Sequence, residues 1–204
     1  MKKIFVLFLT LIMLAGISSC GSNGTSNTDN QSSKSGTATQ NSGNTNKILV
    51  AYFSYSGNTK TVAEKIQKNT NAEIFRIETK EDYPSDYDAV VDKAQQEQDE
   101  NARPELKSKI ENLDDYDVIF LGYPNWWGTM PMALFTFLEE NNLDGKTIVP
   151  FCTHEGSALG RSEDDIKSLC SKSTIKEGLA IRGSDVNADD TDSEINKWIE
   201  NLNL

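Results

Sequence analysis

Residues 47–53, Lys47-Ile48-Leu49-Val50-Ala51-Tyr52-Phe53, form an apolar run that stops at Ser54-Tyr55-Ser56-Gly57-Asn58-Thr59. This junction constrains the fold more than any other stretch. A run without polar alternation fits a strand covered on both faces. Just beyond the small polar residues, Val62, Ala63 and Ile66 recur at helical spacing over residues 59–69. Strand, polar loop and helix, in that order, open a parallel α/β sheet, because parallel neighbours need a crossover and the crossover is usually a helix.

The alternation continues. Residues 72–77 read as a short second strand suited to a sheet edge, 117–123 as a buried third, 147–152 as a fourth and 175–182, interrupted by Gly178, as a fifth. Helices are predicted around 87–100, after Pro131 through Ala133, Leu134, Phe137 and Leu138, over 162–170, and over 191–202 with Ile195, Trp198, Ile199 and Leu202 inward. Ser162 reads as an N-cap, with Asp164 and Asp165 in the first turn. Residues 78–110 are polar and the least decipherable.

Ahead of this domain, Lys2-Lys3 and the apolar stretch from Ile4 to Leu14 read as a secretion signal, too short to cross a bilayer comfortably. Ile17-Ser18-Ser19-Cys20 resembles the lipobox of bacterial lipoproteins, whose cysteine is acylated and becomes the new N-terminus. Residues 1–19 are expected to be a signal peptide and 20–46 a lipidated Cys20 plus tether. All of 21–46 but Asp29, Lys34 and Ala38 are Gly, Ser, Thr, Asn or Gln, which bury too little apolar surface to order a chain. A coil of that length spans roughly 25–30 Å, enough to lift residues 47–204 off a surface. The expected location is the bacterial cell envelope, with membrane contact through the lipid anchor only. Lys2-Lys3 is not a twin-arginine pair, so export of an unfolded chain is expected.

Losing the two leader lysines takes the formal charge from −11 to −13. An acidic body argues against nucleic acid and against an anionic lipid surface, and it suits either a basic protein partner or plain solvation. Cys152 and Cys170 sit in apolar surroundings without metal spacing and read as buried thiols, a disulfide being the alternative in an oxidising compartment. His154 is the single histidine, which removes His-based metal sites.

In doubly wound sheets the ligand crevice lies outside the carboxyl ends of the strands, where strand order reverses. Three strand ends here carry unusual loops. Residues Ser54, Tyr55, Ser56, Gly57, Asn58 and Thr59 offer successive backbone N–H groups, hydroxyls and a helix N-terminus, which is what a phosphate needs; the P-loop lysine is absent from the loop. Pro124, Asn125, Trp126, Trp127 and Gly128 offer flat indoles for a planar ligand, one of which is expected to belong to the core, and a glycine whose peptide can flip. Thr153, His154, Glu155, Gly156 and Ser157 form the third loop.

Ser54-Tyr55-Ser56-Gly57-Asn58-Thr59 resembles the phosphate signature of the flavodoxin family, and Gly122-Tyr123-Pro124-Asn125-Trp126-Trp127-Gly128 resembles that family's ring-binding loop. The likeness runs from Lys47 to about Leu202. It implies a flavodoxin-like three-layer α/β/α sandwich with a five-stranded parallel sheet in order 2-1-3-4-5, and FMN as cofactor. Ser54, Ser56, Asn58 and Thr59 would hold the phosphate, Trp126 or Trp127 would stack on the isoalloxazine, Gly128 would lie near flavin N5, and residues 153–157 would cover the pyrimidine side. Glu155 stands where relatives often have a small residue; it either points at the ring or faces water.

Two functions follow from the resemblance. One is a monomeric electron carrier that docks with redox partner proteins or a membrane-bound electron donor. The other is an NAD(P)H-dependent quinone or nitro-compound reductase, which needs room for a second flat ligand, with residues 78–110 as a wall. A receiver-like signalling domain of the same topology is disfavoured, because Gly122-Tyr123-Pro124 stands where a phospho-accepting carboxylate is wanted.

Overall fold

A computed structural model describes residues 46–204. The expected signal peptide, Cys20 and all but the last residue of the expected tether lie outside the described residues. The elements run β1 (Ile48–Tyr52), α1 (Asn58–Thr70), β2 (Glu73–Arg76), α2 (Tyr87–Asp99), β3 (Val118–Pro124), α3 (Met132–Glu140), β4 (Thr147–His154), α4 (Ser162–Leu169), β5 (Thr174–Ile175), β6 (Leu179–Arg182) and α5 (Thr191–Asn201). All strand pairs are parallel, in the order β2-β1-β3-β4-β5, with β6 also on β4. The predicted sandwich and strand order are therefore the observed ones.

The uninterrupted apolar strands are explained by two cores. Leu49, Ala51, Ile119, Leu121 and Tyr123 point into one, shared with α3 and α4; Val50, Tyr52, Val118 and Phe120 point into the other, shared with α1 and α5. Each fully buried side chain of this kind contributes about 1.5–3 kcal/mol. β2 is the edge strand and is largely exposed, as its alternation predicts.

Two details differ from expectation. The predicted fifth strand is two short ones: β5 pairs with Thr147 and Ile148, β6 with residues 151–154. Between them, on the same edge of β4, stands Pro150, which has no N–H to give the ladder. There the chain turns away, and the Gly178 amide donates to Glu163 Oε1 at 2.8 Å instead. Ser162 is not the cap of α4 but its first helical residue, with Arg161 at the cap position. Its hydroxyl is buried, donating to Leu159 O at 2.6 Å and meeting the Tyr123 hydroxyl at 2.8 Å. The buried tyrosine needs that partner more than the helix end does.

Candidate functional site

Loop 54–59 leaves β1 where the sheet order reverses. Gly57 turns the chain with φ +98° and takes the cap position of α1, which has no side-chain cap. Lys60 N donates to Ser54 Oγ at 3.2 Å, and Thr61 N to Gly57 O at 3.0 Å. Among the described residues no acceptor meets the N–H groups of Tyr55, Ser56, Gly57, Asn58 or Thr59. Five consecutive donors at the positive end of a helix are an anion cradle. The hydroxyls divide: Thr59 is buried and paired with Thr153 at 2.8 Å, which ties the loop to β4, while Ser56 is exposed.

Loop 125–129 after β3 is a tight turn. Trp126 N donates to Thr129 O at 2.8 Å and Thr129 N to Trp126 O at 3.1 Å, with positive φ at both central residues, Trp127 (+52°) and Gly128 (+84°). That is the type I′ signature, in which glycine is at ease and a tryptophan is not. The two indoles have different jobs. Trp126 packs edge-on against Phe53, Tyr55 and Tyr83, with centroids 5.2–6.0 Å apart, so it is the indole anchored to the core. Trp127 is 47% exposed, its Nε1 donating to Val91 O of α2 at 3.2 Å.

Asn125 clamps the turn. Its Oδ1 accepts from Gly128 N at 3.1 Å, its Nδ2 donates to Ala158 O at 2.7 Å, and its own amide donates to Thr153 O at 2.8 Å. The Gly128 carbonyl accepts from Arg161 N at 2.9 Å, so the peptide after Gly128 is anchored from behind rather than free to turn. In the third loop, Gly156 N donates to His154 Nδ1 at 2.9 Å. Glu155 is exposed, yet its carboxylate folds back: a Cβ on Gly183 would lie 2.3 Å from Glu155 Oε1 and 2.6 Å from Asn58 Nδ2. A negative charge thus stands beside the first residue of α1. The loops after β1, β3 and β4 are joined by direct hydrogen bonds at one end of the sheet.

Within residues 78–110 the helix expected around 87–100 is observed as α2 (Tyr87–Asp99). Asp86 caps α2, accepting from Ala89 N at 3.0 Å. Tyr87, Val90, Val91 and Ala94 of α2 face Tyr55, Asn125, Trp126 and Trp127 across a groove of about 320 Å³ with no charged side chain in its lining. Tyr83 joins the aromatic cluster, and its hydroxyl donates to Glu97 Oε2 at 2.6 Å. Burial, then this bond, push the Tyr83 phenol far above its ordinary range, and burial raises Glu97 as well. On the other side of Tyr55, Arg76 reaches Ser54 O at 3.4 Å and lines a smaller polar cavity of about 160 Å³ with Glu78 and Asp82. Cys152 and Cys170 are free and buried, their thiols pushed up by burial to about 12 and about 11, so both stay protonated and inert. The aromatic roles of Tyr83 and Tyr87 carry no local sequence signal, since both sit in a polar stretch.

A doubly wound α/β domain with an amide cradle after its first strand and an aromatic loop after its third has the architecture of the open-sheet proteins whose ligand crevice lies at this end of the sheet. A family model described as flavodoxin matches residues 47–202, and the chain belongs to that family. A protein of Bacteroides eggerthii DSM 20697 described as a flavoprotein is similar at 35% identity and a TM-score of 0.69, covering 78% of this chain and 99% of that one. A flavoprotein from Lactobacillus acidophilus NCFM, solved in complex with FMN, is 26% identical with a TM-score of 0.60, covering 76% of this chain and 99% of that one. A curated relative from Paracoccus denitrificans (strain Pd 1222), an NAD(P)H dehydrogenase (quinone), is 29% identical over 59% of this chain; the match spans only 60% of that relative's own length.

Proposed function

We propose that this flavodoxin-family chain binds FMN and transfers electrons between redox partners while held at a membrane through lipid on Cys20. The observation that carries the reading is the row of five unmet amides at residues 55–59, beside a loop that presents an indole. The residues fit the group: the cradle holds a phosphate by neutral donors and a helix terminus, and the exposed face of Trp127 suits a flat ring. When bound, FMN supplies the one- and two-electron chemistry. The chain's share is to grip the phosphate, fix the ring against the 125–129 turn and exclude water from one face. The charge of −11 supports docking with a basic partner.

Titrating the purified protein with FMN and with riboflavin tests this. Quenching of FMN fluorescence at micromolar concentration is expected, with riboflavin at least about tenfold weaker because it lacks the charge-assisted bonds to the cradle. Equal affinity for the two would refute the cradle, and no quenching at all would refute the whole reading. Incorporation of radiolabelled palmitate that is lost in Cys20→Ala tests the anchor.

The α2 groove supports the second reading. Eight uncharged, mostly apolar or aromatic residues line a space next to Trp127 in an acidic protein, and a neutral flat molecule such as a quinone suits it. Oxidation of NAD(P)H by the FMN-loaded protein alone, dependent on added quinone, would put this reading ahead of the carrier.

A further inference from the structure

Tyr83 is a half-buried phenol that electron transfer through FMN leaves without a task. Its ring lies edge-on to Trp126, 5.2 Å between centroids, and its hydroxyl donates to the Glu97 carboxylate at 2.6 Å. Tyr55 touches the same indole at 6.0 Å, but its hydroxyl donates to the Pro84 carbonyl at 2.7 Å. For one-electron chemistry the two partners are not equivalent. A phenol that loses an electron becomes a strong acid and must shed its proton at once. A carboxylate already in hydrogen-bond contact takes that proton, whereas an amide carbonyl is too weak a base. The third neighbour, Phe53, 5.5 Å from Trp126 between centroids, offers no oxidisable group.

We propose that Trp126, Tyr83 and Glu97 form a relay that draws a one-electron oxidising equivalent away from the site loop and deposits it on Tyr83. The oxidant is a small oxygen- or nitrogen-centred radical. One electron leaves the Trp126 indole and reduces that radical to its anion. One electron then passes from Tyr83 to Trp126 and restores the indole, while the phenol proton moves to Glu97 Oε2. Tyr83 ends as a neutral phenoxyl and Glu97 as a neutral acid. An ascorbate-class reductant returns one electron to Tyr83, Glu97 returns the proton, and the pair is reset. Lys93 Nζ, 5.1 Å from the Tyr83 ring centroid, attracts the Glu97 carboxylate and favours the form that accepts the proton. The relay spares Trp126, which joins Phe53, Tyr55 and Tyr83 into one packed unit under the ring loop.

Pulse radiolysis with azidyl radicals on the full-length protein, without added flavin, tests the relay. Of the three tryptophans, Trp127→Phe and Trp198→Phe leave Trp126 as the only indole. The absorbance of the Trp126 indole radical cation is expected to decay in step with a rise in phenoxyl absorbance, at a rate independent of protein concentration. Tyr83→Phe should abolish the rise and Tyr55→Phe should leave it unchanged. Glu97→Gln, which keeps an acceptor oxygen and guards against a folding artefact, should slow transfer at least about tenfold, the scale of losing a hydrogen bond to a charged acceptor. A phenoxyl rise that survives Tyr83→Phe, or an indole radical cation signal that decays only by collision between molecules, would overturn the relay. No flavin takes part, so this result and the FMN titration fail independently.

Discussion

The loops after β1 and β3 stand side by side and are built in opposite ways. In loop 54–59 five consecutive N–H groups find no acceptor among the described residues. In loop 125–129 the amides of Asn125, Trp126, Gly128 and Thr129 all donate within the protein. Because an unmade hydrogen bond at a partly buried site is costly, the first loop is stable only with something, water or an anion, to accept those bonds. The second loop is complete by itself, and the strain it retains lies in one place, the left-handed Trp127. One loop is made to receive and the other to present.

The most damaging way to break the contrast is Gly160→Ala. Gly160 has φ +57°, and a Cβ there would lie 2.2 Å from Gly128 O and 3.0 Å from Asn125 Nδ2. Both atoms belong to the clamp behind the 125–129 turn, and the nearer is backbone, which cannot move aside cheaply. A stability loss of about 3 kcal/mol or more is expected from overpacking and φ strain together. Chemical denaturation reads it as a lowered midpoint, and an unchanged midpoint would show the clamp to be dispensable. Gly57→Ala is the milder counterpart in the receiving loop. Nothing lies within 4 Å of a Cβ there, so only the φ of +98° opposes it, at about 1–2 kcal/mol. If the loop relaxes when empty and must be forced back on binding, FMN affinity falls about tenfold, with riboflavin affinity changed less.

The contrast also marks what a sequence discloses. Loop 54–59 was legible because its chemistry is local: a glycine, small hydroxyl residues and a helix start are adjacent in the chain. The alternation of Leu49 and Val50 between two cores follows from an unbroken apolar strand, so the sheet was legible too. The division of labour between Trp126 and Trp127 was not, since it depends on Tyr83 arriving from 43 positions earlier and on Val91 O. The split of the fifth strand was half legible: Gly178 marks the break, but its cause is Pro150 on the neighbouring strand. The start of α4 at Ser162 is legible but the capping role of its side chain is not, because the Tyr123 hydroxyl, distant in sequence, claims the serine.

Trp127→Asn sharpens the contrast by separating stability from presentation. Asn-Gly is the preferred central pair of a type I′ turn, and asparagine tolerates the left-handed region. The substitution removes a bulky residue from a φ of +52° and loses one bond to Val91 O and some half-exposed indole area. Those effects nearly cancel, so stability should stay within about 1 kcal/mol of the parent. FMN affinity should nevertheless fall, and the quenching at saturation should diminish. If binding is untouched, Trp127 is not the presented indole.

The smallest expected effect lies behind the presenting loop, at Glu97. Burial holds its carboxyl above the ordinary 4.5, against the opposing pull of the Tyr83 bond and Lys93. The folded protein therefore binds that proton more tightly than the unfolded chain does. The stabilisation is fully present below pH 4.5 and is lost as pH rises through the higher folded value. Glu73 and Glu139 are shifted the other way by Tyr116 and Arg103, so their contributions are lost only as pH falls below 4.5. The two windows do not overlap, which lets one titration separate them. Denaturation midpoints measured upward from pH 4.5 should decline slightly in the parent, and Glu97→Gln should flatten that decline while leaving the acid limb unchanged. A decline that persists in Glu97→Gln would mean that the Tyr83–Glu97 pair is better solvated than its 2.6 Å bond and half-buried position imply.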